Sequence, residues 1–241
     1  NATGTLGFYP NPHTMPYLQH LGAFITNPIS QYPRQPASHR ACIPFPGGFL
    51  LHTGLQNPGI TRVIGQFKRR WEGAPLPVIV HLLVESPQGL TDMIRRLEGF
   101  ENIMGVELGL PPGCQPEALA AILKAARGEL PLILSLNPEQ IPILLPTLQE
   151  NSQIPVHLME PRGMLPNKEG ELVTGRLYGS AIYPQMFKAA KALADEGLQV
   201  IVNGGVSQSW QAKALLACGV MAVGLGSLLW RADSGTFFTD F

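Results

Sequence analysis

Two glycine-rich turns near the C-terminal end hold the residues whose types and spacing most suggest chemistry. Gly204-Gly205 follows the apolar run Val200-Ile201-Val202, and Gly224-Leu225-Gly226-Ser227 follows Met221-Ala222-Val223. An alanine-rich amphipathic stretch lies between, so the pattern reads strand, turn, helix, strand, turn. Glycines let backbone N–H groups come close to an anion. In a parallel α/β barrel the loops after the last two strands form the usual phosphate site. The same glycines could serve only to make tight turns, and both readings stand.

Other side chains offer less. His52, His81 and His157 fall at or near expected strands, either as proton donors or anion contacts, or as hydrogen-bonded core residues. No HxxxH or HExxH spacing occurs, so no metal site is expected. Arg162, with His157 and Glu160, sits where a barrel's active-site rim would be and could meet an anionic ligand. Lys68-Arg69-Arg70-Trp71 reads as a solvated helix end. Cys42, Cys114 and Cys218 are scattered and odd in number, which argues against a disulfide framework and fits a reducing, cytoplasmic setting.

The elements that must position these residues alternate regularly. Strands are expected over 76–84, 105–110, 130–136 and 155–159, with helices over 86–100, 115–127, 138–150 and 184–196. Ser86 and Asn137 are candidate N-caps and Pro116 a first-turn residue. Earlier, 22–26 reads as a short strand, 17–21 as a helical turn, and Pro46-Gly47-Gly48 as a hairpin. The stretch 160–180 reads as a loop. Near-continuous apolar strands between amphipathic helices imply a parallel sheet covered by helices, and about eight strands ending in paired glycine turns imply a (β/α)8 TIM barrel, a single domain over 1–241. The opening at Asn1, inside what reads as a strand end, leads us to expect residues upstream.

Charge excludes some partners. Lys plus Arg (17) equals Asp plus Glu (17), so no global field recruits nucleic acid. No apolar run is long enough to span a membrane. Phe237, Phe238 and Phe241 are more apolar than a free tail needs, and are expected to dock on a protein partner or a second copy of the chain.

Taken in order, several stretches resemble the dihydroorotate dehydrogenase family. NATGTLG (residues 1–7) resembles the family's NASGxxG. ITNPIS and PRQPASHR resemble TKSxT and PRxGNxPR, and TGLQNPG is similar to GLxNPG. GVELGLPPGC resembles IELNxSCPN, GRLYGSAIYP resembles GGLSGPAIKP, and VNGGV and AVGLGSLL resemble its last glycine turns. The resemblance implies an FMN-dependent (β/α)8 barrel, a flavoprotein oxidoreductase that converts dihydroorotate to orotate. It places the cofactor against Thr3, Gly4, Asn27, Gly204, Gly205, Gly226 and Ser227.

It also shows departures. Pro112 stands at the family's base position, with Cys114 two residues on; no catalytic residue is carried over. Leu51, Gly109 and Glu160 replace substrate-binding asparagines, and Asn27 and Ser135 replace lysines of the flavin site. Arg176 and Tyr178 replace small residues; Tyr178 could fill the flavin cavity, or Arg176 could clamp the phosphate. The expectation is a pseudoenzyme acting as an accessory or interaction subunit. The alternatives are an FMN-binding oxidoreductase of altered substrate and a barrel for another small phosphate-containing ligand.

Overall fold

A computed structural model describes residues 1–231 and 237–238. The strands in chain order are β1 (Phe24–Ile25), β2 (Ala41–Phe45), β3 (Gly48–His52), β4 (Val78–Leu83), β5 (Ile103–Gly109), β6 (Leu132–Leu136), β7 (Val156–Leu158), β8 (Arg162–Pro166), β9 (Leu172–Tyr178), β10 (Val200–Asn203) and β11 (Ala222–Gly224). The helices are α1 (Ile60–Glu72), α2 (Pro87–Arg95), α3 (Pro116–Ala125), α4 (Ile141–Glu150), α5 (Tyr183–Asp195) and α6 (Ser209–Ala217). The chain forms two units, Asn1–Arg34 with Asn57–Ser135, and Gln35–Gln56 with Leu136–Phe241.

In the first unit β1, β4, β5 and β6 pair in parallel, in that order. Val78, Val80, Leu82, Val106 and Leu108 are fully buried. Strands covered on both faces need such continuous apolar runs, which explains VIVHLL in β4. The helices take their starts from local chemistry. The Ser86 side chain accepts the Gly89 N–H at 3.1 Å, with Pro87 at the first position of α2. Helix α1 buries Ile60, Val63 and Trp71 along one stripe, and the Trp71 indole N–H donates to the Phe8 carbonyl at 2.6 Å. The expected basic helix end is therefore anchored by a fully buried tryptophan.

In the second unit β7, β10 and β11 pair in parallel. Beside them lies an antiparallel sheet in the order β2-β3-β9-β8. The hairpin expected at Pro46-Gly47-Gly48 joins β2 to β3, with Gly47 at φ 79. The stretch 160–180 is not a loop: β8 and β9 occupy it as a second hairpin, from Arg162↔Arg176 to Pro166↔Leu172. Asn167 makes its turn, accepting the Glu169 and Glu171 N–H groups on its side chain at 3.0 and 2.8 Å.

Smaller differences follow from capping. Helix α2 stops at Arg95, short of Phe100, and Pro138–Gln140 is a 3-10 turn ahead of α4. Phe237 is buried within its own chain, its ring 5.4 Å from that of Phe238, so it is not displayed to a partner as expected. Phe241 lies outside the described residues. No described helix is long and apolar enough to cross a membrane.

Candidate functional site

The two glycine turns meet in one small cavity of the second unit. Gly204, Gly205, Gly224, Gly226 and Ser227 line it, together with Val206, Ile182, Gly179, Tyr178 and Glu160. The turns are possible only with glycine. Gly205 has φ +76, and a Cβ there would fall on the Tyr183 backbone nitrogen and 2.6 Å from its Cα. A Cβ on Gly224 would fall on the Asn203 side-chain oxygen. Beneath the floor, the His157 Nε2–H donates to that oxygen at 2.6 Å, and the Asn203 amide reaches the Met159 sulfur at 3.3 Å. His157 is thus a core residue of the cavity floor. The backbone N–H groups of Gly205, Gly226 and Ser227 make no hydrogen bond to protein among the described residues.

The backbone is that of an anion cradle, but the side chains around it are not. The enclosed space is about 10 Å³, room for about one water molecule. Tyr178 closes it. Its ring is stacked on Phe49 at 5.3 Å, with Trp230 at 6.2 Å from both rings. Glu160 is the sole charged residue on the lining among the described residues, and its side chain is buried. Its carboxylate lies 4.0 Å from Nη1 of Arg176, and its carbonyl accepts the Asn137 side-chain amide at 2.5 Å. Burial, then the Glu160 charge, pushes the Tyr178 phenol well above its ordinary value, with Arg176 opposing. A flavin phosphate would meet a carboxylate in a space sized for about one water, with no lysine or arginine on the lining among the described residues. These residues, as arranged, do not fit the phosphate of FMN.

In the first unit the sequence-derived positions are committed elsewhere. The Thr3 hydroxyl donates to Oε1 of Glu107 at 2.6 Å. Asn27 accepts the Gly7 N–H at 3.0 Å on its side chain, and Gly4 makes a turn at φ +78. Pro112 is exposed, and Cys114 is buried, its thiol reaching only the Gln115 carbonyl at 3.7 Å. Burial raises the thiol's pKa, which leaves less thiolate for chemistry. Among the described residues no group of three His, Cys, Asp or Glu side chains could hold a metal ion.

The sequence did not mark Glu107 as a functional partner, yet it organises this unit's polar core. His81 on β4 and Glu107 on β5 are register partners. Nδ1–H of His81 donates to the Glu107 carboxylate at 2.6 Å, and the His81 backbone N–H donates to the Thr26 hydroxyl at 3.0 Å. Both side chains are at most 1% exposed. Nε2 of His81 has no hydrogen-bond partner among the described residues. A Cβ on Gly109 would lie 2.5 Å from it. The imidazole therefore fills the space that any side chain at position 109 would enter. The signal was the alignment of a lone histidine and a lone glutamate within adjacent apolar strands.

Comparison with known proteins agrees with this backbone. No family model matches the chain. It is similar to the "Dihydroorotate dehydrogenase B (NAD(+)), catalytic subunit" of Geotalea daltonii, 25% identical over 94% of this chain and 81% of that protein. The protein of that name from Latilactobacillus sakei is 27% identical, over 94% and 81%. Among solved structures, DHODH from Eimeria tenella in complex with ferulenol superposes with a TM-score of 0.64, covering 89% of this chain and 74% of that one at 13% identity.

Proposed function

We propose that this divergent relative of the dihydroorotate dehydrogenases is a single (β/α)8-type domain that does not oxidise dihydroorotate and acts as an accessory or interaction subunit. The observation that carries the reading is Pro112 at the position of the family's base, with the neighbouring Cys114 thiol buried and its pKa raised. Oxidation of dihydroorotate requires removal of a carbon-bound proton, and a pyrrolidine ring cannot take it. The filled cradle and the Glu160 carboxylate support the same reading. The relatives are named as catalytic subunits, and this chain would take a subunit's place without the chemistry. Its three free cysteines suit the reducing cytoplasm.

The test is direct. The purified protein should be colourless at about 450 nm, where flavin absorbs. Added FMN should leave its Tm unchanged, and dihydroorotate with FMN and an electron acceptor should show no turnover. Turnover by the pure protein would sink the proposal.

A second reading, an FMN oxidoreductase of altered substrate, rests on the unengaged N–H groups of Gly205, Gly226 and Ser227. A yellow protein with bound flavin would favour it. A thermal shift with another phosphate ester, but not with FMN, would instead mark the cradle as a non-redox phosphate site.

A further inference from the structure

We propose that Arg162 and Arg176 together form a binding site for a small monocarboxylate on the β8–β9 hairpin. The two arginines are direct cross-strand partners. The Leu177 N–H donates to the Pro161 carbonyl at 2.9 Å, which makes Pro161 and Leu177 the hydrogen-bonded pair. Arg162 and Arg176 are then a non-hydrogen-bonded pair, the type in which Cα atoms stand only about 4.5 Å apart and side chains leave the same face together. Like charges at such a position are destabilising, so the pair has a cost that an anion between the guanidiniums would remove.

Their partners are unequal. Arg176 is the better satisfied, with Nη1 4.0 Å from the Glu160 carboxylate. The guanidinium of Arg162 has no hydrogen bond or ion pair among the described residues; only its backbone N–H is engaged, by Glu139 Oε1 at 3.1 Å. Arg162 is half-buried and the Arg176 side chain is 20% exposed. Neither is fully buried, so a solute can reach them. A carboxylate accepts two parallel N–H bonds from a guanidinium. Glu139 and Glu160 lie close enough to repel a dianion, which favours a monocarboxylate over phosphate. The site stands whether or not the cradle binds flavin.

Acetate is the simplest probe, titrated at constant ionic strength and followed by Trp230 fluorescence, since Trp230 lies 6.2 Å from Tyr178. Saturable binding with Kd of about 1 mM is expected for one such contact. It should weaken about tenfold in Arg162→Gln and in Arg176→Gln, and stay unchanged in Lys168→Gln on the exposed turn. Arg162→Lys keeps the charge and loses the fork, and should bind like Arg162→Gln; it serves as the reading if the glutamine variant does not fold. Three results would overturn the site: no saturable binding by wild type, undiminished binding by Arg162→Gln, or inorganic phosphate binding as tightly as acetate.

Discussion

The glycine cradle of the second unit and the His81–Glu107–Thr3 cluster of the first have diverged in opposite ways. In the cradle the backbone still has the form of an anion site while the surrounding side chains, Tyr178 and Glu160, oppose an anion. In the strand-end cluster position 109 is glycine, and a buried hydrogen-bonded trio occupies the space that a side chain there would enter. The difference teaches what a glycine turn reports. Gly205 is fixed by its positive φ and by the Tyr183 backbone, whatever binds nearby. A side chain that once met a ligand has no such steric anchor and can be exchanged. A retained cradle is therefore weak evidence of a retained cofactor, and the side chains beside it are stronger evidence.

The sharpest way to break this contrast is to remove the carboxylate of the first cluster. Glu107→Leu leaves the His81 imidazole and the Thr3 hydroxyl without their acceptor in a site with no solvent access. Breaking a buried pair in this way costs about 3–5 kcal/mol. The double variant His81→Leu/Glu107→Leu should recover part of that loss, with a coupling above about 1 kcal/mol in urea denaturation. Additive losses would show that the trio is not a unit.

Next comes the backbone of the cradle. Gly205→Ala forces a Cβ onto the Tyr183 main chain at φ +76, which should cost at least about 1–3 kcal/mol. The control, Gly113→Ala, meets nothing within 4 Å and should be close to neutral in thermal unfolding. Equal effects would mean the cradle glycines are not sterically required, and their retention would then point to a ligand.

Opening the cradle sharpens the contrast from the other side. The double variant Tyr178→Ser/Glu160→Asn removes both obstacles and leaves the unengaged N–H groups in place. FMN should then stabilise the variant by about 2–3 kcal/mol at a hundredfold excess over Kd, while wild type gives no shift. If the proposed reading holds, the variant should show no dihydroorotate oxidation, because Pro112 is unchanged. A variant that folds but gains no FMN shift would show that the cradle backbone itself no longer suits a phosphate.

Much of this architecture was legible in the sequence, for identifiable reasons. The parallel strands were readable because strands buried on both faces must be apolar throughout, as in VIVHLL. The caps at Ser86 and Asn137 and the turn at Pro46-Gly47 follow from local chemistry that needs no tertiary context. The β8–β9 hairpin was missed because its strands carry Arg162, Thr174 and Arg176 and lack an apolar run. The readable signal was the Asn167–Gly170 turn with Val173, Gly175 and Leu177 alternating beyond it. The His81–Glu107 pairing was not legible, because register between parallel strands is set by the intervening helix and its packing. The placement of the Tyr178 ring on the cavity lining, with Arg176 off it, depends on the pairing of β3 with β9 and not on local sequence.

The smallest effect tests the plug by pH. The Tyr178 phenol has its pKa raised above the ordinary 10.0, by burial first and by Glu160 second. A group raised on folding contributes stability that is complete below its unfolded pKa and is lost as pH rises toward the folded one. Wild type should therefore lose stability above about pH 10, and Tyr178→Phe should flatten that loss. At neutral pH the variant should differ by only about 0.5–1.5 kcal/mol, the worth of one polar hydroxyl. Tyr17, Tyr183 and Cys114 also have raised values, so the alkaline slope should shrink without vanishing. An unchanged slope would place the phenol in water and not on the cradle, and the cavity would then be open to an anion after all.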